Sequence, residues 1–229
     1  GTLKLSHLKE ISMDHMKTHV TKLVIVLSLC LACPAGAGKI TKPKFNVPPP
    51  GFRALFNGKD LLGWQGVLDK PYDNPIKRQQ LSREEYAERQ DQANERMRKH
   101  WKVNNGVLEF DGKGFSLGTD RNYRDFEMLV DWKVVSDNGD SGIYLRGSPQ
   151  VQIWDPKKSK VGSGGLFNNK KYLSKPSALA DKSIGQWNTF RIKMHRNRVT
   201  VHLNGRIVVN NVVMENYWDR DQPIFPRGQ

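Results

Sequence analysis

The stretch DSGIYLRGSPQVQIWD, residues 140–155, decides the fold. It reads as two short strands meeting at the turn Gly147-Ser148-Pro149, with Ile143, Leu145, Val151 and Ile153 alternating against polar or aromatic neighbours. Successive side chains of a strand point to opposite faces. The four aliphatic residues therefore face a core, while Tyr144, Arg146, Gln152 and Trp154 face away from it and Asp155 closes the second strand. A face of that composition is either solvated or the floor of a binding site.

Outward from this hairpin the same period recurs. DFEMLVDWKV (125–134) sends Phe126, Met128, Val130 and Trp132 inward and Glu127, Asp131 and Lys133 outward. KVNNGVLEF (102–110) turns at Asn104-Asn105-Gly106, and WNTFRIKMH (187–195) is a further strand. RVTVHLNGRIVVNN (198–211) is a hairpin closed by Asn204-Gly205, the dipeptide suited to a turn with two positive φ angles. FRALFNGKDLLGW (52–64) carries a comparable Asn57-Gly58 signal. Short strands separated by turn signals predict an all-β fold, an antiparallel β-sandwich or jelly roll.

One helix interrupts the strands. In SREEYAERQDQANERMRKH (82–100), Ser82 and Glu85 stand at capping-box spacing and no Gly or Pro intervenes. Only Tyr86, Ala93 and Met97 offer an apolar stripe, so this is read as an inserted surface helix, mostly wet.

The front of the chain is set apart from the domain. Residues 1–15 show no apolar period and precede an internal Met16, which we read as the true start of translation. From Met16 a basic MKTHVTK, a run of about ten residues (LVIVLSLCLA) and CPAGAG have the layout of a secretory signal, with cleavage placed after Ala37. The run is shorter than the roughly 18 apolar residues that span a bilayer. Both cysteines, Cys30 and Cys33, fall within it, so an exported chain would hold no disulfide. A lipid anchor on Cys33 is the competing reading, and Cys30-Leu31-Ala32 suits a lipobox poorly. The expectation is a secreted, periplasmic or cell-envelope protein with no membrane segment after cleavage. Residues 38–51 (GKITKPKFNVPPPG) form a Pro- and Lys-rich tether, and the domain is placed at 52–229.

A formal charge of +14 invites a nucleic-acid reading. The basic residues are spread along the chain instead of massed in a stripe, so no nucleic-acid partner is expected, although an anionic envelope polymer suits the charge. Metal and nucleophile signatures are absent: there is no HExxH, GxSxG or CxxC, and His100, His195 and His202 stand at no metal-ligand spacing. No cofactor is indicated. VGSGGLFNNKKY (161–172) lacks the setting of a phosphate loop, so it is read as a rim carrying Asn168 and Asn169 beside the sheet face. Aromatic rings beside carboxylates, amides and a guanidinium are the groups a sugar needs, one to stack on and the rest to pair with hydroxyls. Tyr144, Trp154, Asn168 and Asn169 are the candidate substrate-binding residues.

FNGKDLLGW, YRDFEMLVDWK, DSGIYLRG, VQIWD, GQWNTFRI and VTVHLNGRIVV, taken in order, resemble the 3-keto-disaccharide hydrolase domain family. The resemblance runs from Phe52 to Gln229 and implies a concanavalin A-like jelly roll that cleaves glycosides oxidised to a ketone at C3. The helix at 82–100 lies outside the shared motifs. A C3 ketone acidifies the C2 proton, so a base can remove it while a cation holds the enolate, and the C1 substituent then leaves before water adds. Carried onto this chain, the resemblance implies Arg146 as the enolate clamp and Gln152 as a hydroxyl-orienting amide. Asp131 or Glu127 would be the base, with Asp155 in a positioning role. It also implies a further strand bearing a histidine after Gln229, so the domain is expected to be truncated. The alternative is a non-catalytic carbohydrate-binding module on the same scaffold, because fold does not fix function.

Overall fold

The computed structural model describes residues 46–147 and 150–224, together with the backbone of Thr2–Glu10. The signal-like segment at 16–37 and most of the tether lie outside the described residues. In chain order the strands are β1 (Thr2–Glu10), β2 (Arg53–Ala54), β3 (Trp64–Gly66), β4 (Trp101–Asn104), β5 (Val107–Phe110) and β6 (Leu117–Thr119). They continue with β7 (Phe126–Lys133), β8 (Asp140–Tyr144), β9 (Gln150–Trp154), β10 (Asn188–His195), β11 (Arg198–Leu203) and β12 (Arg206–Val213). Two helices, α1 (Pro75–Arg78) and α2 (Arg83–His100), separate β3 from β4.

The fold is all-β and antiparallel. A large sheet runs β12-β11-β10-β7-β1-β5-β4, while β8 pairs with β9 and β3 with β6 in two small sheets. Alternation on β7 is strict: Phe126, Met128, Val130 and Trp132 are buried, and the residues between them are half-exposed. Opposite them on β10, Asn188, Phe190, Ile192 and Met194 are buried too. Val151 and Ile153 of β9, with Leu145 and Leu166, join this same hydrophobic cluster. The inner face of the large sheet is thus packed against the β8–β9 layer. Each fully buried large side chain contributes roughly 1.5–3 kcal/mol of apolar transfer.

The turns follow their sequences. Asn105-Gly106 joins β4 to β5 and Asn204-Gly205 joins β11 to β12, all four residues at positive φ, as a two-residue hairpin of that type requires. Asn57-Gly58 differs, because its strands do not pair with each other. Asn57 Oδ1 instead accepts the N–H groups of Lys59 and Asp60, at 2.8 and 3.0 Å, in a local cap.

The inserted helix forms where the capping box predicts. Ser82 Oγ accepts Glu85 N at 3.2 Å, and the Glu85 carboxylate accepts Ser82 N at 2.9 Å. Only Ala93 and Met97 of α2 are buried. It docks on β3 through Gly66, whose N–H donates to Asn94 Oδ1 and whose carbonyl accepts Gln90 Nε2.

Thr2–Glu10, which the sequence reading sets apart from the domain, runs as β1 between β7 and β5, with Leu3 in register with both Trp132 and Leu108. Backbone pairing places it there, and such pairing needs no apolar period in the sequence. Among the described residues, no helix is long and apolar enough to cross a membrane.

Candidate active site

Because β7 and β9 lie in different layers with their apolar faces meeting, their polar faces point away from each other. Glu127 and Asp131 therefore do not join Gln152 and Trp154, as the sequence reading requires. They lie on the outer face of the large sheet, where the Glu127 carboxylate pairs with Arg191 and Asp131 Oδ1 accepts Thr189 Oγ1 at 2.6 Å. Alternation fixes a side within one strand and says nothing of which layer the strand joins.

On the β8–β9 layer the polar face is real and compact. Gly142 pairs with Gln152, and Asp140 with Trp154, so Asp140, Tyr144, Gln150, Gln152 and Trp154 share a side. Gln150 and Gln152 are buried. The Gln150 amide donates to Gln152 Oε1, and Gln152 Nε2 donates to Asp140 Oδ1 at 2.7 Å and to the Ile153 carbonyl at 3.2 Å. Gly142 makes room for this chain of amides, since a Cβ there would lie 2.8 Å from Gln150 Cδ. The exposed end of the relay is the Asp140 carboxylate. It opens into a cleft of about 400 Å³ whose walls include Asn138, Gly139, Trp154, Lys158 and Ser159.

Aromatic groups flank the floor. Trp154 meets Phe167 edge-on at 5.9 Å between centroids. Tyr144 is half-exposed, and partial burial, followed by the nearby Tyr217, Asp140 and Asp73, raises its pKa so that the phenol keeps its proton. At the turn end of the hairpin, Trp218 Nε1 donates to the Gly147 carbonyl at 3.0 Å, and Tyr217 packs edge-on against Trp218 at 4.8 Å.

The remaining sequence candidates are anchors. Arg146 sits at φ +52° with its side chain buried; its guanidinium donates to the Arg124 carbonyl and to Asp125 Oδ1 at 2.9 Å. Asp125 also accepts Arg196 N at 2.7 Å and stands 3.3 Å from His195 Nδ1. A guanidinium committed in this way ties the hairpin to two neighbouring turns, and Arg146 is not among the residues lining the cleft. Asp155 is buried and accepts Asn138 N and Lys157 N, at 2.8 and 2.9 Å, so it shapes the loops beside the cleft. The Asn138 N–H first, then Lys157, lowers its pKa against the opposing effect of burial.

Asn168 Oδ1 accepts Gln150 N at 3.2 Å. Asn169 donates to the Leu173 and Val213 carbonyls and accepts Glu215 N, an anchor for the loop. The Gly-rich stretch before them is more than a rim: Ser163 to Leu166 are buried, with Gly164 N donating to the Gln152 carbonyl and Gln152 N to that of Gly165. Gly164 sits at φ +96°, where a Cβ would meet Val208 at 2.6 Å.

Sequence reasoning passed over Asp140 and Gln150, although alternation already puts both on the face of Gln152. It also passed over ENYWDR (215–220), in which Glu215 Oε1 accepts the three consecutive N–H groups of Lys170, Lys171 and Tyr172 at 2.7–2.9 Å. Its other oxygen accepts Arg220 at 2.6 Å. Among the described residues, no three His, Cys, Asp or Glu side chains gather to hold a metal ion.

A curated relative from Bacteroides thetaiotaomicron, named 3-keto-disaccharide hydrolase, is 19% identical over 216 residues, covering 80% of this chain and 66% of that protein, slightly under two thirds of its length. A crystal structure from Parabacteroides distasonis, provisionally assigned to the glycosyl hydrolases, superposes with a TM-score of 0.52 at 23% identity, covering 86% of this chain and 89% of that one. At that identity the likeness speaks for the fold. A second structure from the same organism, with the same provisional assignment, gives 0.46 at 21% identity over 73% and 74% of the two chains. Residues 51–229 match the profile of the 3-keto-alpha-glucoside-1,2-lyase-like domain, and the chain belongs to that family.

Proposed function

We propose that this protein cleaves glycosides that carry a ketone at sugar C3. The observation that supports this reading best is the Asp140 carboxylate, oriented by the Gln150–Gln152 amides in a cleft beside the Trp154 indole. The cleft falls within the ~300–1,000 Å³ usual for small-ligand sites. Trp154 supplies an apolar ring for a sugar face, and Asp140 is the base.

Asp140 takes the C2 proton, and the electron pair moves into the C2–C3 bond, leaving an enolate oxygen at C3. Lys158, which lines the same cleft, is the cation available to that oxygen. Collapse of the enolate expels the C1 oxygen, which leaves as the alcohol with the proton that Asp140 took from C2, and forms a C1–C2 double bond conjugated with the restored ketone. Water then adds its oxygen at C1 and a proton at C2, for net hydrolysis. Gln152 is a positioning residue, since its amide is committed to Asp140.

We further read the two layers as a jelly roll, and the layout of residues 16–37 as export of the protein to the envelope or beyond. Incubation in deuterated water with a 3-keto-glucoside and with the unoxidised glucoside tests the reaction. Cleavage of the ketone alone, with deuterium entering C2, is expected. Cleavage of the unoxidised sugar alone, or turnover of the ketone that leaves C2 undeuterated, overturns it.

A further inference from the structure

The chain that borders the cleft is unusually cationic. Between Pro156 and Lys182 it carries seven lysines (157, 158, 160, 170, 171, 175 and 182) against one carboxylate, Asp181. All seven are exposed. This segment folds back along β9, as the bonds between Gln152 and Gly164-Gly165 show, so its charges frame the amide floor. Lys158 lines the cleft and Lys160 sits between the cleft-lining Ser159 and Val161. At the other end, Phe167 N donates to the Gln150 carbonyl and Asn168 accepts Gln150 N, which places Lys170 and Lys171 just beyond the floor.

Nearby acids offset this rim only in part, at Lys157, which Asp137 meets, and at Lys157 and Lys158 beside Asp155. Asp181 accepts Ser163 N at 2.9 Å, Asp155 accepts Asn138 N and Lys157 N, and Glu215 is shared among three backbone N–H groups and Arg220. Asp140 receives Gln152, and Asp137 pairs with Lys157 at 3.2 Å. Lys182 donates to the Trp187 carbonyl at 3.0 Å. Among the described residues, no carboxylate lies within ion-pair distance of the Lys158, Lys160, Lys170, Lys171 or Lys175 ammonium. The Glu215 bonds also fix the backbone from which Lys170 and Lys171 project, so their charges stand over a held loop.

Like charges gathered on one surface segment act together on a multivalent anion, an attraction that salt screens over a Debye length of roughly 8 Å. We propose that this lysine rim recognises an anionic glycan, so that the preferred substrate bears carboxylate or sulfate groups outside the reacting ring. The inference rests on the 3-keto-glycoside reading for its substrate and extends it to the charge of the flanking sugar.

Two measurements separate the inference from that reading. The first is turnover of a neutral 3-keto-glucoside against one whose aglycone is a uronic acid or a sulfated sugar. The wild-type protein should show a higher kcat/KM for the charged aglycones, and the triple variant Lys160→Glu, Lys170→Glu, Lys171→Glu should lower the charged-to-neutral ratio by about tenfold. Lys193→Glu, an exposed cation on β10 of the large sheet, should leave the ratio unchanged.

The second measurement needs no turnover: retention of the full chain on immobilised oligogalacturonate, dextran sulfate and neutral dextran at low and physiological salt. Retention by the charged glycans alone, weakened by the triple variant, is expected. The uronate and sulfate arms tell which anion is read. Equal kcat/KM on neutral and charged substrates, with retention that the triple variant does not change, overturns the inference while leaving the activity standing. Retention by a DNA duplex as strong as by either glycan also overturns it, in favour of a general polyanion surface. Absence of turnover on every 3-keto substrate with glycan retention intact sinks the reaction and keeps the rim.

Discussion

Gln152 donates its side-chain amide to the Asp140 carboxylate at 2.7 Å across the β8–β9 pair. The two are diagonal neighbours, since Gly142 stands opposite Gln152 and Trp154 opposite Asp140. Glycine opposite the glutamine lets the amide cross the strand, and burial from below holds it there. If Asp140 is the base, Asp140→Asn should lower kcat on a 3-keto-glucoside by about 10²–10⁴-fold with an unchanged melting curve. Gln152→Ala should reduce kcat more than it raises KM, as expected for loss of orientation. Glu127→Gln and Asp131→Asn, on the far face of the large sheet, should keep turnover; loss of activity in either would return the base to that face.

Arg146 makes a different prediction from the one its sequence context suggests. A catalytic clamp could be replaced by methionine with its fold intact. The observed guanidinium is buried against Asp125, which itself holds Arg196 N beside His195. Removing it strands a mostly buried carboxylate, and breaking such a pair costs about 3 kcal/mol. Arg146→Met should therefore shift the urea midpoint of unfolding downward, whatever it does to kcat. A midpoint equal to wild type would mean that the pair contributes little and would reopen a role in the reaction.

What could be read from the sequence was local. The inward set of β7, the Ser82–Glu85 cap and the two Asn-Gly hairpins each depend on neighbours a few residues away, and alternation or spacing specifies them. The site was half legible for the same reason: Tyr144, Gln152 and Trp154 do share a face. The partners of Arg146, at 124 and 125, could not be read from its own stretch, because they are more than twenty residues distant and are set by how hairpin and sheet stack. Glu127 and Asp131 were placed on the face of Gln152 because two strands with the same alternation can belong to facing layers. Asn168 meets the Gln150 backbone, while the Asn169 amide holds the loop to Leu173, Val213 and Glu215.

Gly66 is where the inserted helix meets the sheet. A Cβ built there would lie 2.0 Å from the Ala93 carbonyl oxygen, a backbone atom that cannot swing aside. Gly66→Ala should push α2 from β3 and disturb the Gln90 and Asn94 bonds to the Gly66 backbone. Overpacking of this kind costs about 1–3 kcal/mol. Hydrogen exchange along residues 83–100 should rise while that of β10 and β11 stays near wild type. Uniform exchange with the wild-type pattern would show that the helix absorbs the methyl group.

Acid should loosen the loop that carries Lys170 to Tyr172. Burial alone would raise the Glu215 pKa, but the N–H groups of Tyr172, Lys170 and Lys171 and the Arg220 guanidinium together lower it from the ordinary 4.5. A carboxyl group with a depressed folded-state pKa binds protons more readily when unfolded. Its contribution is therefore complete above the ordinary glutamate range and is lost as the pH falls through the folded value. The melting temperature should decline as the pH drops below about 4.5, and Glu215→Gln should start lower at neutral pH and lose part of that acid slope. The variant keeps an acceptor oxygen for the three N–H groups but no charge for Arg220. Its difference from wild type should therefore shrink as the pH falls, and parallel curves across the whole range would place the acid sensitivity in another group.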